Sequence, residues 1–265
     1  MKLLLKARPG RDAVSVTPEQ AGWDYVGFSA HRLADGETLK VDTGTREYCI
    51  VVLTGTVTAA TGNQAWPAIG ERRSVFEDSA PYAVYVPGGE AFTVLAIGAA
   101  EVALCSAPAG EGFEPRLIRP EAMTRSVRGA GSNTRYVCDI LPQAAPAAHL
   151  LVVEVRTPAG HSSSYPPHKH DTDQVPAESV LEETYYHRID PPQGYALQRV
   201  YTDSRDIDET MAAEDGDVVM VPRGYHPVTM PHAYQGYYLN VMAGPRRVWH
   251  FKNDPAHEWM LKPGA

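Results

Sequence analysis

Cysteine is scarce in this chain, and the three present, Cys49, Cys105 and Cys138, are widely spaced with no Cys-x-x-Cys pair. An odd, scattered set argues against structural disulfides and for buried thiols in a reducing compartment, which points to the cytoplasm. Long apolar runs are lacking too. The most apolar stretch after the start, from Val94 to Cys105, is shorter than a membrane span and holds Glu101. The opening MKLLLK carries only Leu3, Leu4 and Leu5 before ARPGRD, too few for a secretory segment. Neither a membrane span nor an export signal is expected. Lys and Arg, 24 against 32 Asp and Glu, form no cluster that could track a phosphate backbone, so nucleic acid is not an expected partner. Helical periodicity sustained over ten residues is hard to find.

What the chain has instead is turn punctuation. Its 22 glycines and 22 prolines fall at short intervals between runs rich in Val, Tyr, Thr and Ile, such as EYCIVVLTGTVTAA, HLLVVEVRTPAG and GYYLNVMAG. Short strands separated by tight turns predict an all-β fold. A length of 265 residues suits one large β domain or two ordinary ones, and an internal repeat favours two. Glu47 opens one strand and Pro87 closes another 40 residues on, while Glu183 and Pro222 stand 39 apart in the second half. The polar, turn-rich segment from Gly110 to Arg135 reads as the crossover. The boundary is placed near Thr124, giving domains 1–123 and 124–265.

The second copy carries the chemistry. In an extended chain residues i and i+2 share a face, so His168 and His170 in SSYPPHKHD can grip one ion together. Further on, ETYYHRI alternates Glu183, Tyr185 and His187 on one face with Thr184, Tyr186 and Arg188 on the other. DGDVVMVPRGYHPV then runs through a Pro-x-Gly turn to His226. Three imidazoles and a carboxylate suit Zn, Mn, Fe or Ni, and donor types alone do not choose among them. The first copy has no His-x-His before Glu47 and no histidine after Pro87, so one metal per chain is expected. The acidic stretch DSRDIDETMAAEDGD reads as solvated turns. His232, His250 and His257 have no partner pattern and read as surface or packing residues.

Gly-x7-His-x-His, a glutamate heading a strand, and Gly-x5-Pro-x-Gly-x-His resemble the two-part motif of the cupin superfamily, and the repeat makes the chain resemble a bicupin. As a set, SSYPPHKHD, LEETYYHRI, QRVYTD, DETMA, DGDVVMVPRGYHPV, YYLNVMAGP and NDPAHEW resemble the 5-deoxyglucuronate isomerase family, related to the uronate isomerases of pectin degradation. The resemblance implies two β-barrel, jelly-roll domains in tandem. It also implies a divalent metal held by His168, His170, Glu183 and His226, a sugar-acid substrate, and an aldose-to-ketose isomerisation in inositol catabolism. Two departures from the general cupin pattern stand out. Twelve residues separate His170 from Glu183, which makes Glu178 and Glu182 rivals for the carboxylate, and only one separates Gly224 from His226.

Proton transfer in such a reaction falls to His187 or Tyr185, each of which also reads as a packing residue. Tyr165, beside Pro166-Pro167, can line the mouth. Gln198 and Arg199, on opposite faces of one strand, are candidates for the substrate, Arg199 as the cation for its carboxylate. Two other readings of the histidines are an oxygen-using dioxygenase and a non-catalytic sugar-binding module. Whether the chain forms a homo-oligomer stays open.

Overall fold

The computed structural model describes residues 2–261 and is built almost wholly from strands, with one four-residue helix, Pro18–Ala21, and short 3-10 turns. The first half forms an eight-stranded sheet. Its spine is two long antiparallel strands, Arg46–Thr61 and Ala91–Pro108. Their ladder slips register between Val52 and Thr56, where Gly55 takes a φ of 82°. Bulges of this kind bend a ribbon, and there is room for the bend only because Gly55 has no side chain: a Cβ would lie 2.4 Å from the Ala99 carbonyl oxygen. Residues before the slip (Ile50, Val52) and after it (Val57, Ala59) therefore share one core with Val94, Ala96 and Leu104.

In the second half a seven-stranded sheet faces a four-stranded one. The larger runs Leu4–Leu5, Val218–Val221, Glu182–Asp190, Gln235–Ala243, Leu151–Thr157, Arg135–Leu141 and Thr124–Arg128. The smaller runs Ser162–Ser163, Val228–Thr229, Tyr195–Tyr201 and Asp208–Glu214. Between them lie Leu151, Val153, Tyr185, Val200, Met211 and Val219. The fold is thus all-β and of the expected two-part cupin plan. It differs in one respect, since among the described residues neither half closes its hydrogen bonding into a barrel: the first is one open eight-stranded sheet and the second a pair of facing open sheets, an arrangement compatible with a jelly-roll.

A third core lies between the halves. Alternation sends Cys49, Val51 and Leu53 outward from the first sheet to meet Cys138, Ile140, Tyr186, Leu239 and Val241 from the second. Cys105 joins them, so the three thiols are free and buried in this contact.

The repeat is real, with its register one residue from the sequence reading. Tyr48 pairs with Val86 and Glu183 with Val221, which sets Glu47 level with Pro87 and Glu182, not Glu183, level with Pro222. The two matched glutamates do the same work. Glu47 accepts the backbone N–H groups of Ala148, His149 and Leu150 at 2.7–2.8 Å, and Glu182 accepts those of Asp24, Tyr25 and Val26 at 2.7–2.9 Å. Each half thereby holds a stretch of the other's main chain. Strand Arg116–Ile118 lies in the first sheet and Thr124–Arg128 in the second, but Leu4–Leu5 crosses to pair with Val218–Val221. A two-residue strand leaves no periodic signal, so that crossing is invisible in the sequence.

Candidate active site

Strand alternation and one tight turn assemble the site. On Glu182–Asp190 the residues Glu183, Tyr185 and His187 face the interior of the second half, while Glu182 faces the other way. His226 arrives from a turn in which Gly224 has a φ of 93° and a Cβ would sit 2.5 Å from the Tyr201 carbonyl oxygen. That conformation lets a single residue separate Gly224 from His226. His170, Glu183 and His226 converge, with Nε2 of His170 3.0 Å and Nε2 of His226 3.3 Å from the same Glu183 oxygen. His168 stands one step out. Its ring centre is 4.9 Å from that of His226 and 6.3 Å from that of His170. Lys169, between the histidines, points away to Asp171 and Asp203.

The rivals for the carboxylate are engaged elsewhere. Glu178 accepts the N–H groups of Asp171 and Thr172, and Glu182 grips the first half. Where the second half has Glu183, the paired register gives the first half Tyr48. Among the described residues no second group of this kind converges.

The donor set fits a cation. Nδ1 of His170 donates to the Leu181 carbonyl at 3.0 Å and Nδ1 of His226 to that of Gly224 at 2.8 Å. A carbonyl can only accept, so Nδ1 carries a proton, and in the neutral ring the lone pair sits on Nε2, on the side of the carboxylate. The Nε2 of His226 is fully buried and has no hydrogen-bond partner among the described residues. Burial pushes His226 and His168 down to about 3, leaving neutral imidazoles. Burial opposes charge on His170 as well, yet the Glu183 carboxylate raises it, the same attraction that would hold a metal. Convergent donors around one carboxylate oxygen suit a divalent ion.

A cavity of about 320 Å³ opens beside the cluster, bordered by His168, Glu183, Tyr185, Tyr165 and Asn240. The Tyr185 hydroxyl meets Ser164 Oγ at 3.2 Å, and burial with the Glu183 charge pushes its pKa well above the ordinary phenol range. His187 lies deeper. Its Nε2 is 2.8 Å from the side-chain amide oxygen of Gln198, its ring stacks behind Tyr185 at 6.0 Å, and burial pushes it down to about 4. Neither His187 nor Gln198 borders the cavity. Arg199 is not brought to it either: it stands half-exposed on the other face of Tyr195–Tyr201, paired with Asp208 at 2.8 Å. The cavity's own guanidiniums are Arg128 and Arg135, both from the polar, turn-rich segment between the halves. The acidic stretch is only partly solvated, because Asp217 is buried and tied to Lys6 and to the Ala7 and Glu214 N–H groups, and Asp215 holds Arg188.

Two named relatives match nearly the whole chain. A protein of Geobacillus kaustophilus called 5-deoxy-glucuronate isomerase is 53% identical over 251 residues, covering 95% of this chain and 91% of the relative. One of the same name from Listeria monocytogenes serotype 4a is 49% identical over 269 residues, covering 98% of each. An IolB-like protein from Salmonella typhimurium LT2, known from its crystal structure, superposes with a TM-score of 0.97 at 44% identity, covering 99% of this chain and 100% of that one. The oxalate decarboxylase of Lactobacillus farciminis, at 12% identity, has a TM-score of 0.65 over 96% of this chain and 88% of its own, a likeness of fold alone. The family model for KduI/IolB matches residues 3–260. With agreement of that length and identity, the chain belongs to the KduI/IolB family.

Proposed function

We propose that this protein is an isomerase that converts 5-deoxy-D-glucuronate to 5-dehydro-2-deoxy-D-gluconate, an aldose-to-ketose step of inositol breakdown. The observation that carries the reading is the convergence of His170, Glu183 and His226, with Glu183 and the neighbouring His168 bordering a cavity of about 320 Å³, room for one six-carbon acid. The names of the relatives supply the substrate. A divalent ion (Zn, Mn, Fe or Ni) held by His168, His170, Glu183 and His226 would supply Lewis acidity toward the carbonyl and hydroxyl oxygens at C1 and C2.

The net change moves hydrogen from C2 to C1 and from the C2 oxygen to the C1 oxygen, through an enediolate. The chain's own contribution begins with placement, since the cavity wall holds the sugar against the cluster. Tyr185, which borders the cavity with its hydroxyl beside Ser164, serves both transfers: it gives its proton to the C1 oxygen as it takes the one on C2, forming the enediol, then gives a proton to C1 as it takes one from the C2 oxygen. His187 acts from behind as a positioning residue, its ring stacked on Tyr185 and anchored by Gln198. Tyr165 borders the mouth.

The test is to run the reaction in D₂O and follow it by NMR. Ketose with deuterium at C1 is the expected product, because the proton taken from C2 exchanges with solvent before one is returned to C1. Ketose without label would replace the enediolate by a direct hydride shift, and no ketose at all would end the isomerase reading.

A further inference from the structure

The hairpin made by Thr124–Arg128 and Arg135–Leu141 ends, just before its turn, on a pair of like charges. Arg128 and Arg135 are direct cross-strand partners. Residues paired this way project from the same face, and two like charges there destabilise the ladder. Both arginines border the cavity that holds His168 and Glu183. Neither is neutralised as Arg72 and Arg188 are. Arg72 is paired with Glu154 at 2.9 Å and Arg188 with Glu101 at 2.7 Å. Arg135 gives one N–H to the Asn133 carbonyl at 3.2 Å and has no carboxylate within 4.0 Å among the described residues. Arg128 approaches Asp139 only to 3.8 Å and lies over the Trp249 ring at 5.8 Å.

The turn is built to keep the pair in place. Gly129 has a φ of 77°, and a Cβ there would lie 2.2 Å from the Asn133 carbonyl oxygen and 2.8 Å from the Arg135 guanidinium. Two more donors on the cavity wall, Asn240 Nδ2 and Trp249 Nε1, are buried without a hydrogen-bond partner among the described residues. The cavity thus has two poles, one of lone pairs that suits a cation and one of unused N–H donors that suits an anion.

We infer that Arg128 and Arg135 bind the carboxylate of the substrate, with Asn240 and Trp249 donating to its hydroxyl oxygens, so that the far end of the molecule fixes C1 and C2 at the His/Glu cluster. The assignment rests on the uronate reading above. A carboxylate set between two guanidiniums accepts from both planar forks and removes their repulsion. Specificity for an acid over the matching neutral sugar follows. Arg199, on the outer face and paired with Asp208, plays no part in it.

The experiment compares the metal-loaded wild type with Arg128→Gln, Arg135→Gln, the double glutamine variant and Arg135→Lys. Turnover is measured on 5-deoxy-D-glucuronate and on the sugar bearing a hydroxymethyl group in place of the carboxylate, and binding of D-glucuronate is measured separately by calorimetry. The expected result is a loss of about 100-fold in kcat/KM for the acid in the double variant, carried mainly by KM, with the neutral sugar changed less than about twofold. D-glucuronate binding weakens in parallel, and Arg135→Lys recovers part of it. A merely structural pair would show the opposite in the ligand-free protein, where removing one of two facing charges should leave the melting temperature unchanged or higher. Equal losses for acid and neutral sugar, or unchanged D-glucuronate binding, would overturn the assignment while leaving the isomerase intact. If the wild type turns over neither sugar yet loses D-glucuronate binding in the variants, the carboxylate seat stands and the isomerase reading fails.

Discussion

At the scale of single residues, the account turns on two adjacent glutamates with opposite duties. Alternation sends Glu183 inward to the histidines and Glu182 outward to the backbone of Asp24, Tyr25 and Val26. Glu183→Gln replaces the charge at the centre of the cluster by a neutral amide, and metal content measured on the purified protein should fall from one ion per chain by more than about tenfold in affinity. Glu182→Gln should leave metal content alone. It weakens charge-assisted bonds to three N–H groups, so unfolding in urea should show a loss of about 2 kcal/mol. A result with the two effects exchanged would mean that the carboxylate has been misassigned.

Elements decide how those residues reach the site, and they also show what a sequence displays and what it hides. The His-x-His spacing and the Pro-x-Gly-x-His turn were legible because a period of two and a left-handed glycine are local properties. Gly224→Ala tests the turn. Its Cβ would press on the Tyr201 carbonyl at 2.5 Å with φ at 93°, so stability should fall by more than about 1 kcal/mol in thermal or urea unfolding, and His226 should bind metal more weakly. Unchanged metal affinity would show that the turn does not position His226. Arg128 and Arg135 were hidden because their meaning lies in cross-strand register, which a polar, turn-rich segment does not reveal. Arg199 was misplaced for a related reason: alternation fixes that Gln198 and Arg199 face opposite ways, and the packing around them decides which faces in. The one-residue slip of the repeat has the same origin, since matched spacing counts residues and the ladder pairs them.

The whole molecule is two β halves joined through a third core, with buried polar ties across it. Arg72 of the first half meets Glu154 of the second, and the Tyr237 hydroxyl donates to the same carboxylate at 3.0 Å. Glu154→Ala would strand a buried guanidinium, at a cost of about 3–5 kcal/mol in urea unfolding, with both halves still lost in one transition. Two separate transitions would show that the halves fold independently. The half without the His/Glu set then has a physical role, because its sheet covers the outer face of the strand that carries Glu183, Tyr185 and His187. The central claim is that this cluster holds a divalent metal on which isomerisation depends. Its most direct test is an anaerobic assay of the purified protein with 5-deoxy-D-glucuronate, read as ketone formation before chelation, after it, and after single metals are returned. The account predicts conversion that stops on chelation and resumes with a divalent ion in the absence of oxygen. Undiminished conversion by metal-stripped protein, or none with any metal, would contradict it.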